Sequence, residues 1–283
     1  MRPVLVVLHA HPDDESIFTG GTIVRAVEAG WRVVLVLATD GDRGAGPGRT
    51  SGDVAALRRH EALTAAGILG IERVEFLGYG DSGWVDATGG RAGVARARGL
   101  VGGSLAAAHL EQVADSVRRI LVEEDAVALT GYDDNGIYGH VDHVRVHEVA
   151  VRAVAGTRCE LYEATLDRTA LRRLRGELVA RGLRPDLWPR GLADRLGVEP
   201  GPGLVTVDVT GQLGRKLEAV AAHSSQMVEA ASFMGLPAGA FHHLLGTEWF
   251  RAARVGPGRF LDLLGEDGTA PQRTPHLAHS SAS

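Results

Sequence analysis

The stretch Val4-Leu5-Val6-Val7-Leu8-His9-Ala10-His11-Pro12-Asp13-Asp14-Glu15 decides the fold. Its first half is an apolar run with no alternation, the pattern of a strand buried on both faces, as in a parallel sheet. It ends abruptly in His11, Pro12 and three consecutive acids. In open α/β sheets ligands sit just beyond the carboxyl ends of the strands, so chemistry is expected here. Proline and acids are also ordinary residues for a first helical turn, because they suit unpaired amides and the positive end of the dipole. That accounts for Pro12 to Glu15. It does not account for His11, nor for acids clustering where a buried strand stops.

Outward from this stretch the chain alternates. Trp31 to Thr39, Arg73 to Leu77, Ala126 to Thr130 and Cys159 to Thr165 read as further strands. Between them, helices are expected over Gly20 to Glu28, from an Asp53 N-cap to Leu69, from a Ser104 cap to Glu124, and over Val141 to Ala155. This predicts an α/β fold, a Rossmann-like and mostly parallel sheet with helices on both faces. Residues 167–196 read as helical or irregular with solvated arginine faces. The C-terminal additions are a half-exposed strand over Leu204 to Val209, a helix over Leu213 to Ala222 and a short helix over Thr247 to Arg254. Residues 1–265 form one domain on this reading, and the polar Pro/Ser/Thr-containing tail 266–283 is expected to be disordered. The glycine-rich stretch 44–48 has no GxGxxG spacing and reads as a mobile loop. Residues 86–103, also glycine-rich, are either functional, as a lid would be, or disordered.

Composition bounds the function. The chain has 283 residues, 45% hydrophobic and 23% charged, with a formal net charge of −5 and no basic block, which argues against a nucleic-acid surface. Its single cysteine, Cys159, excludes an internal disulfide and a cysteine-rich metal site. The N-terminus lacks the pattern of a signal peptide and no apolar run approaches a membrane span, so a cytoplasmic protein is expected. Oligomeric state is left open.

A second cluster also follows a buried strand: Gly131-Tyr-Asp-Asp-Asn-Gly-Ile-Tyr-Gly-His-Val-Asp-His143. His140 and His143 are three apart, so at a helix start they project to one side. Hydrolytic zinc takes three protein ligands from His, Asp or Glu and leaves a position open for water. His11, Asp14 and His143 would supply such a set, with Asp13 a free carboxylate placed to take a proton. His143 with His147 is another pairing, although Glu148 follows the second histidine and the pattern is not HExxH. A lone helical histidine is more often structural than a ligand; two His/Asp clusters after two parallel strands reverse that expectation.

Ala10-His-Pro-Asp-Asp-Glu15 together with His140-Val-Asp-His143 resembles the PIG-L/LmbE family of zinc-dependent N-acetylglucosaminide deacetylases. The resemblance spans roughly residues 3–255 and implies one zinc per chain, with iron(II) as an alternative occupant, held by His11, Asp14 and His143. It implies Asp13 as general base and His140 as the group that stabilises the oxyanion or protonates the leaving amine. Asp142 would orient or charge-pair His140, and Tyr138 would contact the tetrahedral intermediate. Arg58-Arg-His-Glu61 and Gly78-Tyr-Gly-Asp-Ser-Gly83 resemble segments of the subgroup acting on glucosaminyl-inositol compounds, which makes Arg58 and Asp81 substrate-binding candidates. A surface Arg58–Glu61 pair and an Asx turn at Asp81 are the plain alternatives. Ala222-His223-Ser-Ser-Gln226 resembles a late family segment to which no role is assigned, and His242-His243 reads as structural or incidental. Val141 stands where proline is common, and Asp42-Arg43 where acids are usual in the mycothiol enzymes.

The expected activity is deacetylation of an N-acetylglucosamine-type conjugate, a small amino sugar such as N-acetylglucosaminyl-inositol in mycothiol biosynthesis. A mycothiol S-conjugate amidase and a deacetylase of an aminoglycoside or glycopeptide intermediate share the same machinery. A non-catalytic nucleotide-binding protein of Rossmann type would need a glycine-rich turn where this chain has His-Pro-Asp-Asp. A phosphoesterase would want two metals, and the ligands counted serve one.

Overall fold

The computed structural model describes residues 2–44, 50–83, 102–180, 182, 196–226, 244–254 and 260. In chain order the elements are β1 (Val4–His9), α1 (Asp14–Phe18), α2 (Gly20–Glu28), β2 (Arg32–Thr39), α3 (Ser51–Leu69), β3 (Arg73–Tyr79), α4 (Leu110–Glu123) and β4 (Ala128–Tyr132). They continue with α5 (Gly136–Gly139), α6 (Val141–Val154), β5 (Glu160–Thr165), α7 (Arg168–Ala180), β6 (Leu204–Asp208), α8 (Leu213–Ala222) and β7 (Thr247–Arg254). The seven strands lie in the order β3-β2-β1-β4-β5-β7-β6. β1 to β5 are parallel, and β7 runs antiparallel to both β5 and β6.

β1 is buried at every position because it pairs with β2 on one side and β4 on the other while helices cover both faces. α2 and α3 pack with α8, and α4 packs with α6. Right-handed crossovers put helices made while the sheet grows one way on the opposite face from those made after it reverses. The reversal lies between β1 and β4. That is the topological switch point, where a crevice opens beyond the strand ends.

Three expectations need correction. Thr247–Arg254 is the strand β7, with Trp249 and Phe250 buried; short apolar runs do not separate helix from strand by period, and pairing on both sides decides. Asp53 is the third residue of α3, inside a capping box with Thr50, which is the N-cap. The helix expected from Ser104 starts at Leu110, because Ser104 bridges to Gly80, with Gly80 N–H donating to Gly103 O and Leu105 N–H to Gly80 O. Residues 45–48 of the expected loop 44–48, residues 86–101 of the stretch 86–103, His242-His243 and the tail 266–283 lie outside the described residues. No helix among the described residues is long and apolar enough to cross a membrane.

At the end of the sheet away from the crevice, Glu124 accepts from Arg32 Nε (2.8 Å) and Arg73 Nη1 (2.8 Å), joining β2, β3 and the end of α4. The Arg32 hydrogen bond first, then Arg73, hold its carboxyl at about 2, against 4.5 ordinarily. A carboxyl with a depressed folded pKa stabilises above its unfolded pKa and loses that contribution as pH falls through the folded one. Glu124→Gln is therefore expected to cost ~1–2 kcal/mol at pH 7. In urea melts that difference should shrink as pH falls from about 4.5 toward about 2.

Candidate active site

The two clusters meet beyond the ends of β1 and β4. After His9 the chain turns sharply, and Asp13 takes φ 124°, a conformation that side chains rarely adopt and that costs ~1–3 kcal/mol. The turn aims His11 and Asp14 back over the strand end, and the His11 N–H donates to Asp14 Oδ2 (2.9 Å). On the other side the carboxylate of Asp133 shapes the exit from β4, accepting from Asn135 N–H (3.0 Å) and Ile137 N–H (2.8 Å). Gly136 lies so close to α6 that a Cβ there would meet His143 Cβ at 2.6 Å, with φ already +62°. Only glycine lets this turn press against the first turn of α6.

Three ligand-type atoms converge. Asp14 Oδ2 is 3.4 Å from His11 Nδ1 and 3.3 Å from His143 Nε2, and the two nitrogens are 3.3 Å apart. A tetrahedral zinc with bonds of about 2.0–2.1 Å spaces neighbouring ligand atoms about 3.3–3.4 Å apart. The triangle has the edge of such a face. These distances are long for charge-assisted hydrogen bonds, which run ~2.7–2.9 Å, so a shared cation fits the three donors better than direct pairing does. Two further groupings, His11–His140–His143 and His11–Asp81–His140–Asp142, also bring ligand-type atoms within 4.8 Å of one another.

Support behind the triangle is specific. His11 presents its other nitrogen, Nε2, to Asp142 Oδ2 at 3.3 Å and to Asp81 Oδ1 at 3.7 Å, the carboxylate–histidine arrangement that fixes a metal ligand's tautomer. Ser82 donates its N–H (2.8 Å) and its hydroxyl (2.5 Å) to Asp142. Burial works to raise the Asp142 carboxyl, but His11, His140 and Ser82 outweigh it and hold it at about 2. Asp142 also donates its N–H to His140 Nδ1. The carboxylate binds His11 and Ser82, and toward His140 it acts as a nearby charge. The His143 ring stacks on Tyr132 (4.2 Å, 10°), and Tyr132 Oη lies 2.9 Å from His9 Nδ1 and accepts from Ala10 N–H.

Around this centre, Tyr138 Oη lies 3.3 Å from His143 Nε2. Burial first, then the carboxylates, push its phenol well above the ordinary value, so it stays protonated. His140 Nδ1 accepts from the Asp142 N–H (3.2 Å), which places the proton of a neutral ring on Nε2. Burial, reinforced by His11 and His143, pushes its imidazole down to about 3. Burial pushes the Asp13 carboxyl up to about 7, with Asp14 adding to the rise and Arg58 opposing it. His147 stays apart, its Nδ1 3.1 Å from Tyr132 O and from Glu163.

Both substrate candidates make contacts within the site. Arg58 is buried, donating Nη2 to Pro12 O (2.6 Å) and Asp13 Oδ2 (3.1 Å) and Nη1 to Gly41 O (2.9 Å). It is not a surface partner of Glu61, and it clamps the turn that carries Asp13. Asp81 does form the Asx turn, accepting from Gly83 N–H (2.7 Å), and is buried beside His11. Sequence reasoning gave no role to Ser82, Tyr132 and Glu15, although each lies inside one of the stretches quoted above.

Residues 6–154 match the sequence profile of the PIG-L family, described as GlcNAc-PI de-N-acetylase. The 1D-myo-inositol 2-acetamido-2-deoxy-alpha-D-glucopyranoside deacetylase of Kineococcus radiotolerans is 36% identical over 249 residues, covering 79% of this chain and 68% of the relative. Among solved structures, the N,N'-diacetylchitobiose deacetylase of Pyrococcus horikoshii superposes with a TM-score of 0.54 at 22% identity, over 92% of this chain and 85% of that one. The 4-carboxy-2-hydroxymuconate hydratase of Pseudomonas putida does so with 0.55 at 16% identity, over 89% and 97%.

The fit of the donor set to a cation predicts a binding experiment. Wild type is expected to take up one zinc ion per chain in equilibrium dialysis, and Asp14→Ala to lose it. Asp142→Asn should still bind, with affinity ~10–100-fold weaker.

Proposed function

This chain belongs to the PIG-L family, and on that footing we propose that it hydrolyses the acetamide of an N-acetylglucosaminyl-inositol-type conjugate, releasing acetate and the free amine. What carries the reading is the triangle of His11, Asp14 and His143 with the Asp13 carboxylate beside it. It is supported by the 36% identity to a relative named for that substrate.

On this reading His11 Nδ1, Asp14 Oδ2 and His143 Nε2 hold zinc. Bound zinc would supply Lewis acidity and lower the pKa of water from ~15.7 to ~7. Asp13 takes the proton as water oxygen bonds to the acetyl carbon. A carboxyl that burial pushes up to about 7 is a stronger base than an exposed aspartate, while Arg58 keeps it aimed. The Nε2–H of neutral His140 donates to the developing oxyanion, and the protonated Tyr138 hydroxyl is a second donor. The proton held by Asp13 then passes to nitrogen as the C–N bond breaks. Of the two roles considered for His140, the neutral ring favours the hydrogen-bond donor. Asp81 is the acceptor for a sugar hydroxyl, and the reaction belongs in the cytoplasm.

Acetate release from N-acetylglucosaminyl-inositol tests this. Zinc-loaded wild type is expected to turn it over faster than free N-acetylglucosamine, and Asp13→Ala to lose ~10²-fold or more in kcat with zinc still bound. Stoichiometric zinc without acetate from either sugar would sink the substrate, leaving conjugate amides and glycopeptide intermediates as the next panel.

A further inference from the structure

Asp13 is held from two directions, and only one of them is Arg58. Its N–H donates to Glu15 Oε2 (3.0 Å). The other oxygen of that carboxylate, Oε1, accepts from Ser16 Oγ (2.7 Å) and from His223 Nε2 (2.6 Å). Glu15 and His223 are 0% and 1% exposed. His223 stands just past the end of α8, far from Glu15 in sequence, and the residues after it are tied down in turn. Glu61 accepts from Ser224 Oγ (3.1 Å), Ser225 N–H (2.9 Å) and Ser225 Oγ (2.7 Å). Glu61 lies one turn along α3 from Arg58, whose Nη2 reaches Asp13 Oδ2. The chain of contacts closes: Asp13 to Glu15, Glu15 to His223, its segment to Glu61, and α3 through Arg58 back to Asp13.

We propose that His223 is a positioning residue for Asp13, acting through Glu15: it fixes one carboxylate oxygen so that the other holds the Asp13 amide at its positive φ. This rests on the reading of Asp13 as the base. The physical case is that the turn at φ 124° does not hold itself. A carboxylate pivots about its last bond, and Glu15 can present Oε2 to the Asp13 amide only while Oε1 is occupied. The Ser16 hydroxyl is a neutral donor on a short side chain beside Glu15. His223 brings its donor from beyond α8 to within 2.6 Å of Oε1, at a position only 1% exposed. Without it Oε1 keeps only the Ser16 donor, and the carboxylate is free to turn about its last bond. Asp13 then relaxes toward ordinary φ, and its carboxylate leaves the reacting water.

The test contrasts His223→Gln with His223→Asn in the full-length, zinc-loaded protein. Both are uncharged amides, but only glutamine places an N–H donor where Nε2 stood. Acetate release gives kcat and KM, metal analysis gives occupancy, and hydrogen–deuterium exchange reports the peptide covering residues 11–16. His223→Asn is expected to lower kcat ~10²-fold, leave KM within ~3-fold and zinc at one per chain, and speed exchange in that peptide. His223→Gln should recover ~10-fold or more of the loss and restore protection. A role confined to packing α8 would lower the melting temperature of both variants alike without splitting kcat from KM. Folded, zinc-bound His223→Asn with wild-type kcat and unchanged exchange overturns the proposal. Should Asp13→Ala keep full activity, the reading of the base fails instead, and the exchange data alone decide whether His223 holds the turn. If His223→Asn does not fold, His223→Gln and Glu15→Gln are compared on the same readouts, and wild-type kcat in Glu15→Gln is then the overturning result.

Discussion

The site depends on concentrating negative charge where the sheet reverses. Asp13, Asp14, Glu15, Asp81 and Asp142 crowd the ends of β1 and β4, and four of the five are buried to below a tenth exposure. Unpaired carboxylates in such surroundings protonate or unfold the turn that carries them. Each therefore has an assigned partner: Arg58 for Asp13, His223 for Glu15, the Gly83 N–H and His11 for Asp81, His11 and Ser82 for Asp142. Asp14 has two imidazoles at distances suited to sharing a cation rather than a proton. His11, facing carboxylates at both nitrogens, is driven well above its usual range although burial opposes the rise. Its surroundings favour positive charge.

How far this was legible in the sequence follows from which links are local. β1 and the residues beyond it could be read directly, because an apolar run stopping at His-Pro-Asp-Asp is a statement about one strand and its end. The convergence of His11, Asp14 and His143 could be read because parallel strands place their carboxyl ends on one rim, whatever lies between. What could not be read depends on distant pairing. β7 has no period that separates it from a helix until β5 and β6 flank it. Arg58 reads in sequence as a surface partner of Glu61 or a substrate contact, and only the fold shows its guanidinium donating to Pro12 O and Gly41 O. Asp142 sits beside His140 in sequence, yet at a helix start its carboxylate swings to Ser82, some sixty residues away.

Fold alone would not have chosen the chemistry. A hydratase and a deacetylase superpose on this chain about equally well, so the sheet and its crevice serve different reactions. The decision lies with side chains. An acetamide needs its carbonyl polarised, a proton removed from water and a proton returned to nitrogen. On the proposed reading the cation-sized triangle and the donor edge of His140 would meet the first need, and Asp13 the other two.

The division of labour along the chain explains why so few of these residues carry the chemistry. Every proposed ligand and the base lie between residues 6 and 154, the span matched by the family profile. The elements after it contribute no ligand of the triangle but supply buried struts. Glu248 of β7 accepts from Gly21 N–H (2.7 Å) and Thr22 N–H (2.8 Å), capping α2, and is neutralised by Lys216 (2.7 Å), the one lysine in the chain. α2 begins directly after α1, so capping it fixes the far end of the segment that starts at Asp14. His223 fixes Glu15 inside that same segment. A turn with one residue at a strained φ cannot be stabilised by its own few contacts. It has to be over-determined from outside, and α8 and β7 are where the chain places that constraint.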